Sequence, residues 1–157
     1  MAQLTNFTYE ELTLGQTASY TKTVTEQDIQ LFAVVSGDVN PVHLDSDYAA
    51  TTPFNGPIAH GMLTGAVVSA AIALQLPGPG TVYLGQTLRF RLPVRPGDTL
   101  TVKLEVMELK DKRQQVELDC KVFNQDEKLV ASGLANVMAP TQKLAIQAPS
   151  LPSVTLS

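Results

Sequence analysis

"GMLTGAVVSAAIALQL", residues 61–76, is the longest apolar run in the chain. Thr64, Ser69 and Gln75 interrupt it, and it is shorter than the roughly 20 residues that a membrane-spanning helix requires. Apolar residues fall on every side of a helical wheel here, the pattern of a helix buried all round. Seven of its residues are small: Gly61, Gly65, Ala66, Ser69, Ala70, Ala71 and Ala73. Small side chains let a neighbour approach closely, and a curved sheet wrapped round the helix is the natural neighbour. "PGPG" at 77–80 ends the element.

The segments that follow supply such a sheet. "TVYLGQTLRFRLPV" (81–94) reads as a strand leading to the turn "RPGD". In "TLTVKLEVMEL" (99–109) Leu100, Val102, Leu104 and Val106 share one face, with Thr101, Lys103 and Glu105 on the other. "KDKR" turns the chain into "QQVELDCKVF" (114–123), with Val116, Leu118, Cys120 and Val122 inward. "NQDEK" turns it again into "LVASGLANVMA" (129–139), which is apolar on both faces. Connections this short predict an antiparallel meander.

Upstream, "QTASYTKTV" (16–24) alternates as a strand, and "TEQDIQLFAVVSG" (25–37) predicts a helix. Thr25 is its N-cap, with Asp28 three residues on and Gly37 as its stop. Asn40 and Pro41 resemble a second helix start, since Asn caps well and Pro fits the first helical position. "VHLDSDYAAT" would be that helix, ending around "TTPFNGP". The sum is an α+β fold: residues 1–140 form one domain with a curved antiparallel sheet round a central helix. Residues 141–157, with two prolines and weak periodicity, form a C-terminal tail that packs on the surface or stays mobile.

Composition narrows the function. A chain of 157 residues with 44% apolar and 17% charged residues suits one globular domain. A net charge of −4 argues against a general nucleic-acid binder. Cys120 is alone, which leaves no disulfide framework and no Cys-based zinc site. No signal peptide and no membrane span are recognisable, so the expectation is a cytoplasmic protein. Residues 1–88 carry seven acids and one base, Lys22, while 89–157 carry eight acids and ten bases. Basic contacts to a phosphorylated ligand would therefore come from the C-terminal half, unless those Lys and Arg residues serve solubility alone.

"SGDVNPVHLD", residues 36–45, places one of the chain's two histidines five residues after an aspartate. If Asn40 caps a helix, His43 lies in its first turn and Asp38 in the loop before it, with Pro41 limiting the backbone between them. A carboxylate and an imidazole on one corner can activate a water and return its proton elsewhere. Taken alone, the pattern is equally that of a turn in which Asp38 accepts local hydrogen bonds and His43 packs at a helix start. A metal held by Asp38, His43, Asp45 and His60 is a third reading, but the spacing matches no standard ligand pattern. His60 reads as a structural histidine. Gly61 opens the long helix, whose first N–H groups lack intrahelical partners and suit an oxygen that gains negative charge.

"FAVVSGDVNPVHLDSDYA" resembles the hydratase motif of the MaoC-like (R)-specific enoyl-CoA hydratases, with Gly37, Asp38, Asn40, Pro41, His43 and Ala49 at the family spacing. The likeness extends through "PIAHGMLTGAVVSAAIA" and "LPGPGTVYLGQTLRFRLPVRPGD" and covers roughly residues 10–140. Within that family it resembles the small bacterial hydratases that supply (R)-3-hydroxyacyl-CoA to polyhydroxyalkanoate synthesis. The resemblance implies a hot-dog fold, with the 61–76 helix inside the sheet. It implies Asp38 and His43 as the pair that hydrates trans-2-enoyl-CoA at C3, and the Gly61 N–H as the group that polarises the thioester carbonyl. Ser69 would lie near the active site, and Asn40 would hold the loop. It implies no cofactor and no metal, and a homodimer whose sites lie at the interface. If the acyl tail runs along the helix, Ile72, about one turn beyond Ser69, would limit its length. A thioesterase on the same fold would attack the carbonyl carbon instead, and a non-catalytic acyl-carrier or acyl-CoA binding subunit would be expected to lack Asp38 or His43.

Overall fold

The structure, a computed structural model, describes residues 2–157. Strand β1 (Gln3–Thr5) is followed by β2 (Thr17–Thr23) and by helices α1 (Glu26–Ser36), α2 (Pro41–Leu44), α3 (Ser46–Ala50) and α4 (Gly61–Leu74). Strands β3 (Val82–Gln86), β4 (Arg89–Phe90), β5 (Thr99–Lys110), β6 (Gln115–Phe123), β7 (Leu129–Met138) and β8 (Ala145–Gln147) complete the chain.

The main sheet runs β2-β5-β6-β7-β3, all antiparallel, and β4 extends the β3 side by pairing with β7. Alternation decides its inner face. Leu100, Val102, Leu104 and Val106 of β5, and Val116, Leu118, Cys120 and Val122 of β6, are each at most 1% exposed. Leu63, Val67, Val68, Ala71 and Ile72 of α4 join the same core cluster. This is the expected helix inside a curved sheet, a hot-dog fold.

Three expectations need correction. The 81–94 segment is not one strand beside β5. It crosses to the far side of the sheet, and β2 takes the place next to β5. It also breaks into β3 and β4 around Thr87, where Gly133 of β7 lets the backbones close: a Cβ on Gly133 would sit 1.7 Å from the Thr87 carbonyl oxygen. The amide of Leu134 donates to the Thr87 hydroxyl at 3.0 Å, and the Thr87 amide donates to the Leu134 carbonyl at 2.9 Å. As a result β7 lies inside the sheet, and among the described residues its outer strands are β2 on one side and β3 with β4 on the other. Second, "VHLDSDYAAT" is two helices. Asp45 stands in extended backbone between them and accepts from the Tyr48 amide at 3.0 Å, so it caps α3 instead of continuing α2. Third, α4 is not buried all round within one chain. Met62, 60% exposed, shares an open flank with Ala66 and Ala73.

Part of the 141–157 segment is ordered against the N-terminal residues. β8 pairs antiparallel with β1, Gln3 opposite Gln147 and Thr5 opposite Ala145. Buried Asn6 locks the base of this ribbon: its amide donates to the carbonyls of Pro79 and Gln142, each at 3.0 Å, and its side-chain oxygen accepts from the Leu144 amide at 3.0 Å.

Candidate active site

The site grows out of the end of α1. Thr25 and Asp28 form the expected capping box at its start, and Gly37, with φ of 81°, ends it in the left-handed region that glycine enters without strain. The Ser36 hydroxyl donates back to the Phe32 carbonyl and accepts from the Asp38 amide at 3.1 Å. The Asn40 amide donates to Asp38 Oδ1 at 3.0 Å, and Asn40 Oδ1 accepts from the Val42 amide at 3.2 Å. Asn40 is thus the N-cap of α2, with Pro41 at its first position. These short-range bonds turn the chain tightly and leave Asp38 Oδ2 free to face inward.

His43 sits in the single turn of α2, and its ring is fixed by a bond to the Ile58 carbonyl, 2.7 Å from Nδ1. A carbonyl only accepts, so Nδ1 carries the proton and Nε2 presents a lone pair. That nitrogen is 3.9 Å from Asp38 Oδ2. The separation is too long for a direct hydrogen bond, and it leaves room for one oxygen about 2.8 Å from both atoms. The environments differ: the His43 side chain is 10% exposed and the Asp38 side chain 49%. A lone pair and a carboxylate facing one small space are equipped to take a proton from water there and hand one on.

His60 completes the cluster. It is 3% exposed, its Nε2 lies 3.0 Å from the Asp38 carbonyl oxygen, and its ring stacks on that of His43 with centroids 3.7 Å apart and planes 24° from parallel. Phe32 tilts against it at 4.9 Å. Since Nε2 must donate to the carbonyl, Nδ1 is an acceptor, and it is buried without a hydrogen-bond partner among the described residues. Ligand atoms of Asp38, His43 and His60 lie within 4.8 Å of one another, a grouping that could hold a metal ion, but the two imidazoles are stacked and each has one ring nitrogen on a backbone carbonyl. Ring nitrogens bind metals in the ring plane at about 2.0–2.1 Å, and two stacked rings aim their lone pairs along nearly parallel planes. Asp45, the fourth imagined ligand, is occupied in capping α3.

Gly61 follows as the first residue of α4, with His60 at its N-cap. It borders a cleft of about 320 Å³ whose walls include Phe54, Ile58, Thr64, Phe90 and Arg91. A Cβ at Gly61 would touch the Phe90 ring at 3.4 Å. The structure therefore places Asp38, His43 and the start of α4 in one locality through His60. Ser69 lies farther along the helix and is half-buried, while Ile72 is 1% exposed and belongs to the core. Sequence reasoning missed the engagement of His60 with Asp38. The available signal was that the chain's two histidines stand 17 positions apart, His43 in the motif and His60 just before the long apolar run. It also missed an apolar groove of about 450 Å³ between α1, α4 and β2, lined by Leu31, Phe32, Val35, Ala66 and Ala70 among others.

The chain is similar to known proteins. Residues 11–126 match the family model described as the MaoC like domain. The (R)-specific enoyl-CoA hydratase of Rhodospirillum rubrum is 44% identical over 136 residues, 85% of this chain and 92% of that protein. The 3-hydroxybutyryl-CoA dehydratase of Methylorubrum extorquens is 44% identical over 86% of this chain and 85% of its own. Among solved structures, the unliganded R-hydratase PhaJ1 from Pseudomonas aeruginosa superposes with a TM-score of 0.95 at 55% identity, covering 99% of this chain and 100% of that one. With the motif, the fold and these likenesses in agreement, the chain belongs to the MaoC-like domain family.

Proposed function

We propose that this protein hydrates trans-2-enoyl-CoA reversibly to (R)-3-hydroxyacyl-CoA, the reaction that links fatty-acid β-oxidation to polyhydroxyalkanoate synthesis. The observation that carries the reading is the 3.9 Å gap between Asp38 Oδ2 and Nε2 of His43. A water held in that gap loses one proton to the pair as its oxygen bonds to C3. The pair returns a proton to C2, so the net change is addition of H and OH across the double bond. Both groups border the same water position, and the role belongs to the pair rather than to either member. In this reading the Gly61 N–H, at the positive end of α4, draws electron density onto the thioester oxygen and makes C3 electrophilic. Asn40 supports the loop. Neither metal nor cofactor takes part. The names carried by the relatives, hydratase and dehydratase, describe the two directions of one such reaction and support the assignment.

The same reading takes residues 1–140 as the catalytic domain and 141–157 as its C-terminal tail, in a cytoplasmic homodimer. The outer edge of β3 supports the dimer: Val82 and Leu84 there are 52% and 48% exposed on a strand that pairs with β7 alone among the described residues. Sedimentation at micromolar concentration should give a dimer, and a fully active monomer would overturn this part. The acyl tail runs along α4 past Ser69 to Ile72, so Ile72→Ala should favour long-chain substrates over crotonyl-CoA, and an unchanged chain-length profile would place the tail elsewhere.

The deciding assay follows crotonyl-CoA by loss of its enoyl absorbance, with free thiol measured in parallel. Loss of the chromophore without thiol and with an R product is expected. Thiol release would indicate a thioesterase, and an S product would sink the stereochemical assignment.

A further inference from the structure

We infer that His60 is a positioning residue for the Asp38–His43 pair, holding the acid loop against the start of α4 through its Nε2–H bond to the Asp38 carbonyl. The inference rests on the hydratase reading of that pair.

Asp38 has few other anchors. Its remaining hydrogen bonds join it to Ser36 and Asn40, each two residues away. The bond from His60, 22 residues along the chain, is the side-chain tie among the described residues that connects this loop to another element. Gly37, immediately before Asp38, has φ of 81° and no Cβ to limit its rotation. Without the His60 tie, the half-exposed carboxylate would swing about that glycine. The second member is held independently: His43 is fixed at Nδ1 by Ile58, and the imidazole of His60 lies stacked on its face. Phe32 braces His60 from its other side. His60 also precedes Gly61 directly, and its carbonyl accepts from the Leu63 amide at 3.0 Å in the first turn of α4. One buried residue therefore sets the distance between the acid–base pair and the helix terminus.

His60 is poorly suited to carry a proton itself. Nε2–H is committed to a carbonyl, and Nδ1 is buried with no hydrogen-bond partner among the described residues. Burying a ring nitrogen without a partner costs stability that an apolar residue of similar shape would not. Folding alone gives no reason for a histidine at this position, whereas the reach of its Nε2–H to Asp38 does.

Two substitutions separate the ring from the bond. His60→Phe keeps a stacking ring and loses the donor. His60→Gln loses the ring and keeps an N–H at the same number of bonds from the backbone. Turnover of crotonyl-CoA by His60→Phe should fall about tenfold or more in kcat with KM within about threefold, because displaced catalytic groups cost rate rather than binding. His60→Gln should restore kcat to within about threefold of the wild type. Nitrogen NMR of the wild type supplies a readout independent of turnover: with only two histidines in the chain, both imidazoles are assignable by substitution. His60 should be the Nε2–H tautomer and His43 the Nδ1–H tautomer. A His60→Phe enzyme with wild-type kcat, a change confined to KM, or an Nδ1–H tautomer at His60 would each overturn the inference. If His60→Phe does not fold, a tenfold kcat loss in His60→Gln would overturn it equally. Wild-type protein that leaves crotonyl-CoA untouched would overturn the hydratase reading instead, and the tautomers would still decide whether His60 ties the loop.

Discussion

The β5–β7 meander and the corner from Ser36 to His60 are built by opposite means. In the meander, alternate residues of long strands are driven out of water, and Leu104, Leu118, Cys120 and Val122 are each at most 1% exposed. In the corner, α2 has no fully buried residue. Its shape comes from hydrogen bonds spanning two to four residues, with two side-chain ties that reach farther, His43 to Ile58 and His60 to Asp38. The meander stores stability, and the corner stores geometry. Changes in one should move stability with little effect on the chemistry, and changes in the other should do the reverse.

The largest effect is expected in the corner. Asp38→Asn keeps the side chain's size and removes its basicity, and His43→Gln removes a titratable ring. Each should lower kcat at least ~10²-fold while the melting curve stays near that of the wild type. The double mutant should lose far less than the product of the single losses, because half a pair is already disabled. Near-normal rates in folded Asp38→Asn would break both the mechanism and the contrast.

Next comes the meander. Leu118→Ala should cost about 2–5 kcal/mol in urea unfolding, from lost burial plus the cavity left behind. At low temperature, where the protein remains folded, its kcat should stay close to wild type. A kcat loss comparable with that of Asp38→Asn would show that the sheet reaches the chemistry.

The smallest effect tests how local the corner is. Asn40→Ala removes one cap from one turn, worth about 0.5–2 kcal/mol to that turn. Hydrogen exchange at the Val42 amide should accelerate while amides of β5 and β6 keep their protection. Uniform acceleration across the sheet would mean that the corner and the meander unfold as one unit.

The same division explains what was legible in the sequence. Thr25 with Asp28, Gly37, and Asn40 with Pro41 act on neighbours a few residues away, so their spacing alone announced both ends of α1 and the start of α2. The inward sets of β5 and β6 were legible because a strand's period is fixed at two. The Asp38–His43 pairing was legible because one short turn places both residues. Distance along the chain defeated the rest. The fit of Gly133 beneath Thr87 spans 46 positions, and neither residue signals the other, so the crossing of β3 to β7 and its break into β4 went unseen. Asp45 reads from sequence as a residue within one helix, because its cap on α3 competes with continuation of α2 and the sequence permits both. The tie from His60 to Asp38 has no periodicity at all, and the open flank of α4 depends on where the sheet stops, which its own sequence does not record.

The β1–β8 ribbon has a mechanical consequence. Its strands are antiparallel, with Gln3 and Gln147 paired at one end and the Ala148 amide bonded to the Ala2 carbonyl just beyond, at 2.9 Å. A force pulling those two ends apart loads the hydrogen bonds one after another, as in a zipper, rather than all at once in shear. The ribbon would therefore open at low force until the tear reached Asn6. There, three bonds from one buried side chain to Pro79, Gln142 and Leu144 must break together, and the strain would stop short of α4 and the corner it holds.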